Sequence, residues 1–237
     1  MNTVSYSHYL DTLFDEYRSD IHSFESICRL RVLSKYLKGP EILDVGIGDG
    51  LITNFLASHF PSVVAVDGSL EAIKNCKEKF ATTAAICFEH TLFENFTTTK
   101  KFSDIVMSNL LEHVDDPVSL LTKSLSLLQN GGYIHLIVPN AHSFHRLVGK
   151  EMGMIQSLTE ITEVDLSWGH KRVYTYELLT SQVNAAGLRT LITEGILFKT
   201  LSTKQLVQLD KTVLEGFFSL GNKFKEQSAY IYFCAAP

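Results

Sequence analysis

A chain of 237 residues has room for one full-sized α/β domain with some helical additions. Its 45% hydrophobic and 20% charged residues are ordinary for a globular protein, and a net charge of −5 with a pI of about 6.0 argues against a surface built to grip a nucleic-acid backbone. The four cysteines, Cys28, Cys76, Cys87 and Cys234, are too scattered for a thiolate zinc site or a disulfide framework and read as small buried apolar side chains, while no signal peptide or membrane-length apolar run is seen, so a cytoplasmic location without a membrane partner is expected.

Tyr6, Leu10, Leu13, Phe14 and Tyr17 recur at helical spacing, as do Ile27, Leu30, Leu33 and Leu37. Residues 1–38 are therefore expected to form an N-terminal cap of two amphipathic helices. Beyond Gly39-Pro40, over 39–237, strands and helices alternate. Ile42–Val45 reads as a strand, followed by a glycine turn and a helix bearing Ile52, Phe55 and Leu56. Val63–Val66 is a second strand, leading to a helix with Leu70, Ile73, Cys76 and Phe80; Ala85–Phe88 and Asp104–Met107 are the third and fourth. Asp116 is placed to cap a helix that opens on Pro117, carries Val118, Leu121, Leu125 and Leu128, and is expected to stop at Asn130-Gly131-Gly132. Tyr133–Val138 is the fifth strand. The polar, histidine-rich stretch at about 140–174 is expected to be a substrate-facing insertion. Thr175 then caps a helix with Leu178, Leu179 and Val183 that ends at Gly187. Leu188–Lys199 is a sixth strand, one helix with Leu206, Leu209, Val213 and Phe217 follows, and Ala229–Cys234 closes the chain. The fold class is thus α/β, a three-layer sandwich with a seven-stranded, mostly parallel sheet between helices.

The informative segment is Glu41-Ile42-Leu43-Asp44-Val45-Gly46-Ile47-Gly48-Asp49-Gly50. Glycines directly after a strand allow a tight turn and close approach of a ligand to the backbone, and the next helix presents free N–H groups there. Asp67, 17 residues after Gly50, ends the second strand, where a carboxylate can accept hydrogen bonds from both hydroxyls of a ribose. The loop spacing is G-x-G-x-G, not the G-x-G-x-x-G of dinucleotide enzymes, and an acid such as Asp44 beside the loop would repel a pyrophosphate but suit a cationic ligand. A nicotinamide-dependent oxidoreductase is the rival this disfavours.

In order, ILDVGIGDG, VVAVDGS, FSDIVMSNLLEHVDDP and LLQNGGYIHLIVPN, within about Arg29 to Asn140, resemble the motif series of class I, Rossmann-like S-adenosylmethionine-dependent methyltransferases. In style they are most similar to the enzymes that act on quinones, sugars and natural products. The resemblance implies S-adenosyl-L-methionine as cofactor, S-adenosyl-L-homocysteine as product, and a last strand antiparallel to the rest. It also implies roles for residues. Gly46, Gly48 and Gly50 would lie under the methionine part, with Asp44 nearby; Asp67 would hold the ribose, bordered by Gly68 and Ser69. His90, Thr91 and Leu92 would lie along the adenine, Asn109 and Leu110 close to the sulfonium, and Arg29 toward the cofactor carboxylate. Ile47 departs from the cysteine or threonine usual at that position, which leaves the backbone role intact.

Methyl transfer from a sulfonium needs alignment and desolvation, and a hydroxyl acceptor also benefits from a general base. His113, directly after the fourth strand, is the first candidate, with His142 and His170 also expected above the carboxyl ends of the strands. Glu112, Asn140, His145, Arg146, Arg172 and Tyr174 are candidate acceptor contacts, and the clusters at 140–146 and 169–174 suggest an anionic acceptor. His142-x-x-His145 lacks a defined third ligand, and helix capping accounts for Asp116 beside Asp115, so no metal site is expected. The signature motifs of DNA methyltransferases are missing, and no nucleic-acid partner is expected. The expected activity is therefore methyl transfer to a small molecule, on a hydroxyl oxygen of a sugar, phosphorylated metabolite or natural-product intermediate. A nitrogen acceptor and a non-catalytic cofactor-binding module are the alternatives, and a homodimer is left open.

Overall fold

Alternation along the first strand decides the layering. The computed structural model describes residues 6–17, 20–80 and 85–237, and in it β1 (Glu41–Val45) sends Ile42 into one apolar cluster and Leu43 and Val45 into another on the opposite face. With β2 (Ser62–Asp67), β3 (Ile86–His90), β4 (Phe102–Ser108), β5 (Leu128–Pro139), β6 (Arg189–Ile196) and β7 (Tyr230–Ala236) it makes a sheet of order β3-β2-β1-β4-β5-β7-β6. The first five pair in parallel, and β7 runs antiparallel to both β5 and β6.

One face is covered by α1 (Ser7–Tyr17), α2 (Ile21–Leu33), α3 (Leu51–His59) and α4 (Leu70–Lys79), joined later by α9 (Thr203–Leu206) and α10 (Lys211–Lys223). The other is covered by α5 (Pro117–Leu127) and α8 (Tyr176–Ala185). Asp116 caps α5 by accepting from the Ser119 N–H at 3.0 Å, and Thr175 caps α8 by accepting from Leu178. Partly buried Glu25 fastens α2 to the C-terminal half, accepting from Lys199 at 2.8 Å, Thr203 at 2.6 Å and the Tyr230 hydroxyl. No helix among the described residues is long and apolar enough to cross a membrane.

Several local expectations are corrected. Leu37 lies beyond the end of α2, and the Tyr17 side chain lies outside the described residues. Asn130-Gly131-Gly132 does not terminate a helix: α5 already ends at Leu127, and the glycines lie inside β5. A Cβ at Gly132 would sit 2.9 Å from the Ser103 carbonyl, so glycine is required there for close approach to β4, next to its register shift between Phe102 and Asp104. The helix expected through Leu206 and Phe217 is two helices, α9 opened by a Ser202–Gln205 capping box and α10 beginning after Asp210. Within the polar, histidine-rich stretch at about 140–174, α6 (Phe144–Glu151) and α7 (Glu163–Ser167) form, the latter on a Thr162–Asp165 capping box. Cys87 is exposed, because β3 is an edge strand.

A buried polar network sits at the amino end of β4. Asp104 bonds the His135 Nε2 at 2.9 Å, His135 Nδ1 bonds the Tyr232 hydroxyl at 2.9 Å, and Asp104 also accepts from the Gly39 N–H at 2.8 Å and the Ser103 hydroxyl at 3.0 Å.

Candidate active site

Strand order reverses between β1 and β4, and the crevice at the carboxyl ends of these strands is where an open α/β sheet receives its ligand. A cavity of about 400 Å³ opens there, lined by Val45 and Gly46 from β1, Asp67 and Gly68 from β2, Thr91 and Leu92 after β3, and Leu110 and His113 after β4. The loop glycines Gly46, Gly48 and Gly50 all have positive φ, at 85°, 57° and 80°. A Cβ built on Gly48 would meet nothing within 4 Å, so the loop presents bare backbone to the solvent side.

Asp67 ties this loop to the next. Its Oδ2 accepts from the Ile47 N–H and its Oδ1 from the Ser69 N–H, both at 2.7 Å. Each oxygen retains a lone pair for a further donor. Ser69 is itself occupied in capping α4, its hydroxyl accepting from Ala72 at 3.1 Å. Asp44 is turned to the α3 face, where it accepts from the Thr53 hydroxyl at 2.6 Å. Burial pushes its carboxyl up to about 7, with Asp67 acting in the same direction. His90 reaches the Gly68 carbonyl at 3.2 Å, which ties the ends of β2 and β3 together, and Leu92 stands 59% exposed as an apolar wall.

The end of β4 is unusual in its backbone and its polar groups. Asn109 adopts the left-handed region at φ 54°, its N–H bonded to Ile137 at 2.8 Å while its buried Oδ1 has no partner. Glu112 is 0% exposed and neither carboxylate oxygen has a hydrogen-bond partner. Burial pushes it up to about 8, against the opposing pull of its own backbone amide, Arg29 and Arg172. Burial and the neighbouring His170 hold the His113 imidazole below its ordinary value, so its neutral form prevails at physiological pH. The His113 and His170 rings meet edge to face with centroids 4.8 Å apart, and His170 Nδ1 lies 3.2 Å from Asp165 Oδ1.

The other acceptor candidates divide. Arg172 gives its guanidinium to backbone, with Nη1 at 2.6 Å from both the Leu111 and Val114 carbonyls and Nη2 at 3.2 Å from that of Asp115. Tyr174 is a fully buried core residue whose hydroxyl bonds Gln182 at 2.9 Å and Leu111 at 3.3 Å. Asn140 uses its amide to accept from His142 N–H and to donate to the Glu226 and Ser228 carbonyls. Arg146 binds the Leu158 and Glu160 carbonyls and Asp165, fastening the insertion to itself. These four, read from sequence as substrate contacts, act as braces because the segment's many carbonyls need donors. His142 lies apart from His113 and His170, near Glu177 at the start of α8. His145 is largely buried beside Lys199 and Glu25, and burial holds its imidazole down to about 3. Arg29 donates to Ser26 at 2.6 Å and keeps a buried, unpartnered Nε.

Sequence reasoning missed Phe93, Glu94, Val114 and Asp115, which also line the cavity, where Lys171 of the 169–174 cluster pairs with Asp115. It also missed Thr53 and Asp165, which hold Asp44 and His170. Only Asp165 left a local signal, the Thr-x-x-Asp capping pattern.

These residues suit a sulfonium nucleoside. A ribose would find an acid with free lone pairs at Asp67, an adenine the apolar wall of Leu92, and an amino-acid portion the bare backbone of the glycine loop.

Comparison with known proteins agrees. A family model described as a methyltransferase domain matches residues 15–192. A ubiquinone biosynthesis O-methyltransferase from Dinoroseobacter shibae is 30% identical over 172 residues, covering 70% of this chain and 66% of that protein. One from Coxiella burnetii is 28% identical over 183 residues, with 75% of each covered. The first match therefore spans slightly under two thirds of that relative's length. Among solved structures, an S-adenosylmethionine-dependent methyltransferase from Mesorhizobium loti superposes with a TM-score of 0.67 at 14% identity, covering 92% of this chain and 100% of that one. The N-methyltransferase NodS from Bradyrhizobium japonicum, solved with S-adenosyl-L-homocysteine, gives 0.56 at 15% identity, covering 99% and 97%. These last two likenesses establish the fold, and the family match establishes the rest: the chain belongs to the class I, Rossmann-like S-adenosylmethionine-dependent methyltransferases.

Proposed function

We propose that this protein methylates a hydroxyl oxygen of a small molecule, and that the transfer takes place between Leu110 and His113. The observation that carries this reading is that His113, an imidazole kept neutral by burial, lines the same cavity as the ribose-binding candidate Asp67. When bound, S-adenosyl-L-methionine supplies an already activated methyl group on sulfur. The chain's own part is then to bind, align and deprotonate. Asp67 and the loop Gly46–Gly50 hold the nucleoside and the amino-acid portion; Gly68, Ser69, His90, Thr91 and Leu92 shape its far end; Asn109 and Leu110 border the methyl group. Arg29, whose Nε lacks a partner, is assigned to the cofactor carboxylate. His113 takes the acceptor's proton at an imidazole nitrogen as the oxygen begins to bond to carbon.

The acceptor enters past the insertion at about 140–174. Arg146 and Arg172 are already bound to carbonyls, so Lys171, paired with Asp115, is the one cation of these two clusters that lines the cavity. This favours an uncharged hydroxylated ring over a phosphorylated or nucleotide-linked sugar. The similarity to ubiquinone biosynthesis O-methyltransferases supports oxygen as the acceptor atom. The test is radiolabel transfer from methyl-labelled cofactor to a panel of phenolic, sugar and phosphorylated acceptors. Transfer to phenols supports the reading; transfer only to phosphorylated sugars or to amines contradicts it.

A further inference from the structure

An ionisable carboxyl at 0% exposure without a hydrogen-bond partner is costly, and native proteins keep such a group where something else compensates it. For Glu112 two guanidiniums stand near enough to favour its charge, but neither hydrogen-bonds it: Arg172 is engaged by three carbonyls and Arg29 by Ser26. What stands opposite Glu112 is a pair of imidazoles. One ligand atom each from Glu112, His113 and His170 lie within 4.8 Å of one another.

The surroundings of His170 add an independent observation. Asp165 gives its Oδ2 to the Thr162 N–H at 2.9 Å and faces Arg146, which leaves Oδ1 for His170 Nδ1 at 3.2 Å. A histidine whose Nδ1–H is held by a carboxylate presents its Nε2 lone pair in a fixed direction, the arrangement that orients imidazoles toward metal ions. The set of one carboxylate and two imidazoles matches zinc and its first-row neighbours better than magnesium or calcium, which favour all-oxygen shells. Ligand atoms around a tetrahedral zinc ion lie about 3.4 Å apart, so the three groups, within 4.8 Å of one another, need to close by up to about 1.4 Å.

We propose that Glu112, His113 and His170 bind one divalent ion of the zinc type, that Asp165 is the positioning residue for His170, and that the open coordination positions face the cavity. This departs from the expectation of no metal, which rested on sequence spacing; His170 lies 57 residues after His113, a separation that spacing rules do not detect. Its role in catalysis rests on the proposed function. With an ion bound, His113 would be a ligand in place of the proton acceptor of the metal-free site, and the ion would hold the acceptor oxygen and acidify its hydroxyl, the proton leaving to water. The oxygen then forms its bond to the methyl carbon as the carbon–sulfur bond breaks, with that electron pair remaining on sulfur.

The test is isothermal titration of zinc sulfate into metal-stripped protein carrying Cys87→Ser, which removes the exposed thiol. Uptake of one ion per chain is expected, weakened at least tenfold by Glu112→Gln and by His170→Gln, and about 10- to 100-fold by Asp165→Asn. No stoichiometric uptake, or uptake undiminished in both ligand variants, overturns the proposal. X-ray absorption on zinc-loaded Cys87→Ser protein needs no ligand variant: an oxygen and two imidazoles support the site, and a sulfur ligand overturns it. S-adenosyl-L-homocysteine affinity is measured on the same samples. Zinc uptake without nucleoside binding would sink the proposed function alone, and nucleoside binding without zinc uptake would sink the metal site alone.

Discussion

Two acid–histidine clusters stand at opposite ends of β4 and are built from the same residue types. At the amino end, Asp104, His135 and Tyr232 are buried and linked, and Asp104 receives three further donors, the Lys38 and Gly39 N–H groups and the Ser103 hydroxyl. At the carboxyl end, Glu112 is equally buried but has no hydrogen-bond partner, beside His113 and His170. A network in which every group is satisfied holds the sheet together, whereas one left open carries a standing cost that a ligand can relieve. The difference follows from position. Parallel strands end at a crevice on the carboxyl side, and at the amino side the chain from Lys38 to Gly39 closes over Asp104.

The largest effect that would break this comparison is on stability. Asp104→Ala strands His135 Nε2 and the Gly39 N–H, and urea unfolding should show a loss of about 3–5 kcal/mol, with nucleoside affinity of the folded fraction unchanged. A loss below about 1 kcal/mol would mean that the network is not structural.

The next effect depends on pH. Burial raises Asp44 from the ordinary carboxyl value of 3.8 to about 7, so the folded protein keeps a proton there that the unfolded chain has already released. That contribution is complete below the unfolded value and is lost as pH rises through the folded one. Stability without ligand should therefore fall between pH 4 and 7, by at most about 4 kcal/mol from this group, and Asp44→Asn should flatten the slope. A slope unaltered by the substitution would contradict the assignment.

Smaller again is His113→Ala, expected to slow turnover on an accepted phenol by about 10²-fold with cofactor affinity kept. Turnover within about threefold of wild type would remove His113 from the chemistry. The smallest effect is the most pointed contrast with Asp104: Glu112→Gln should leave stability within about 1 kcal/mol of wild type or raise it, because no bond is lost. A loss as large as that of Asp104→Ala would mean that Glu112 belongs to the structural class.

How much of this was legible depends on range. The sheet and its helices followed from periodicity, and the cofactor side from contiguous signals: glycines after β1, and Asp67 at the end of β2. Cap residues such as Asp116 and Thr175 were equally local. The acceptor side was misread where partners are distant. Arg172 and Tyr174 pair with residues some 60 positions earlier, and no spacing rule shows that a loop arginine is already bound to carbonyls. Gly131 and Gly132 were read as punctuation, although at Gly132 the requirement is close strand approach. The break between α9 and α10 had a readable sign in Ser202-x-x-Gln205, outweighed by apolar spacing that ran across it.

The most direct measurement is titration of S-adenosyl-L-homocysteine into the wild-type protein and Asp67→Ala. Asp67 is expected to add two charge-assisted hydrogen bonds of about 1.5–3 kcal/mol each to the ribose. The account predicts one molecule bound per wild-type chain and an affinity at least about 10²-fold weaker in the variant. Equal affinities would contradict it, since the nucleoside would then lie somewhere other than the crevice between β1 and β4.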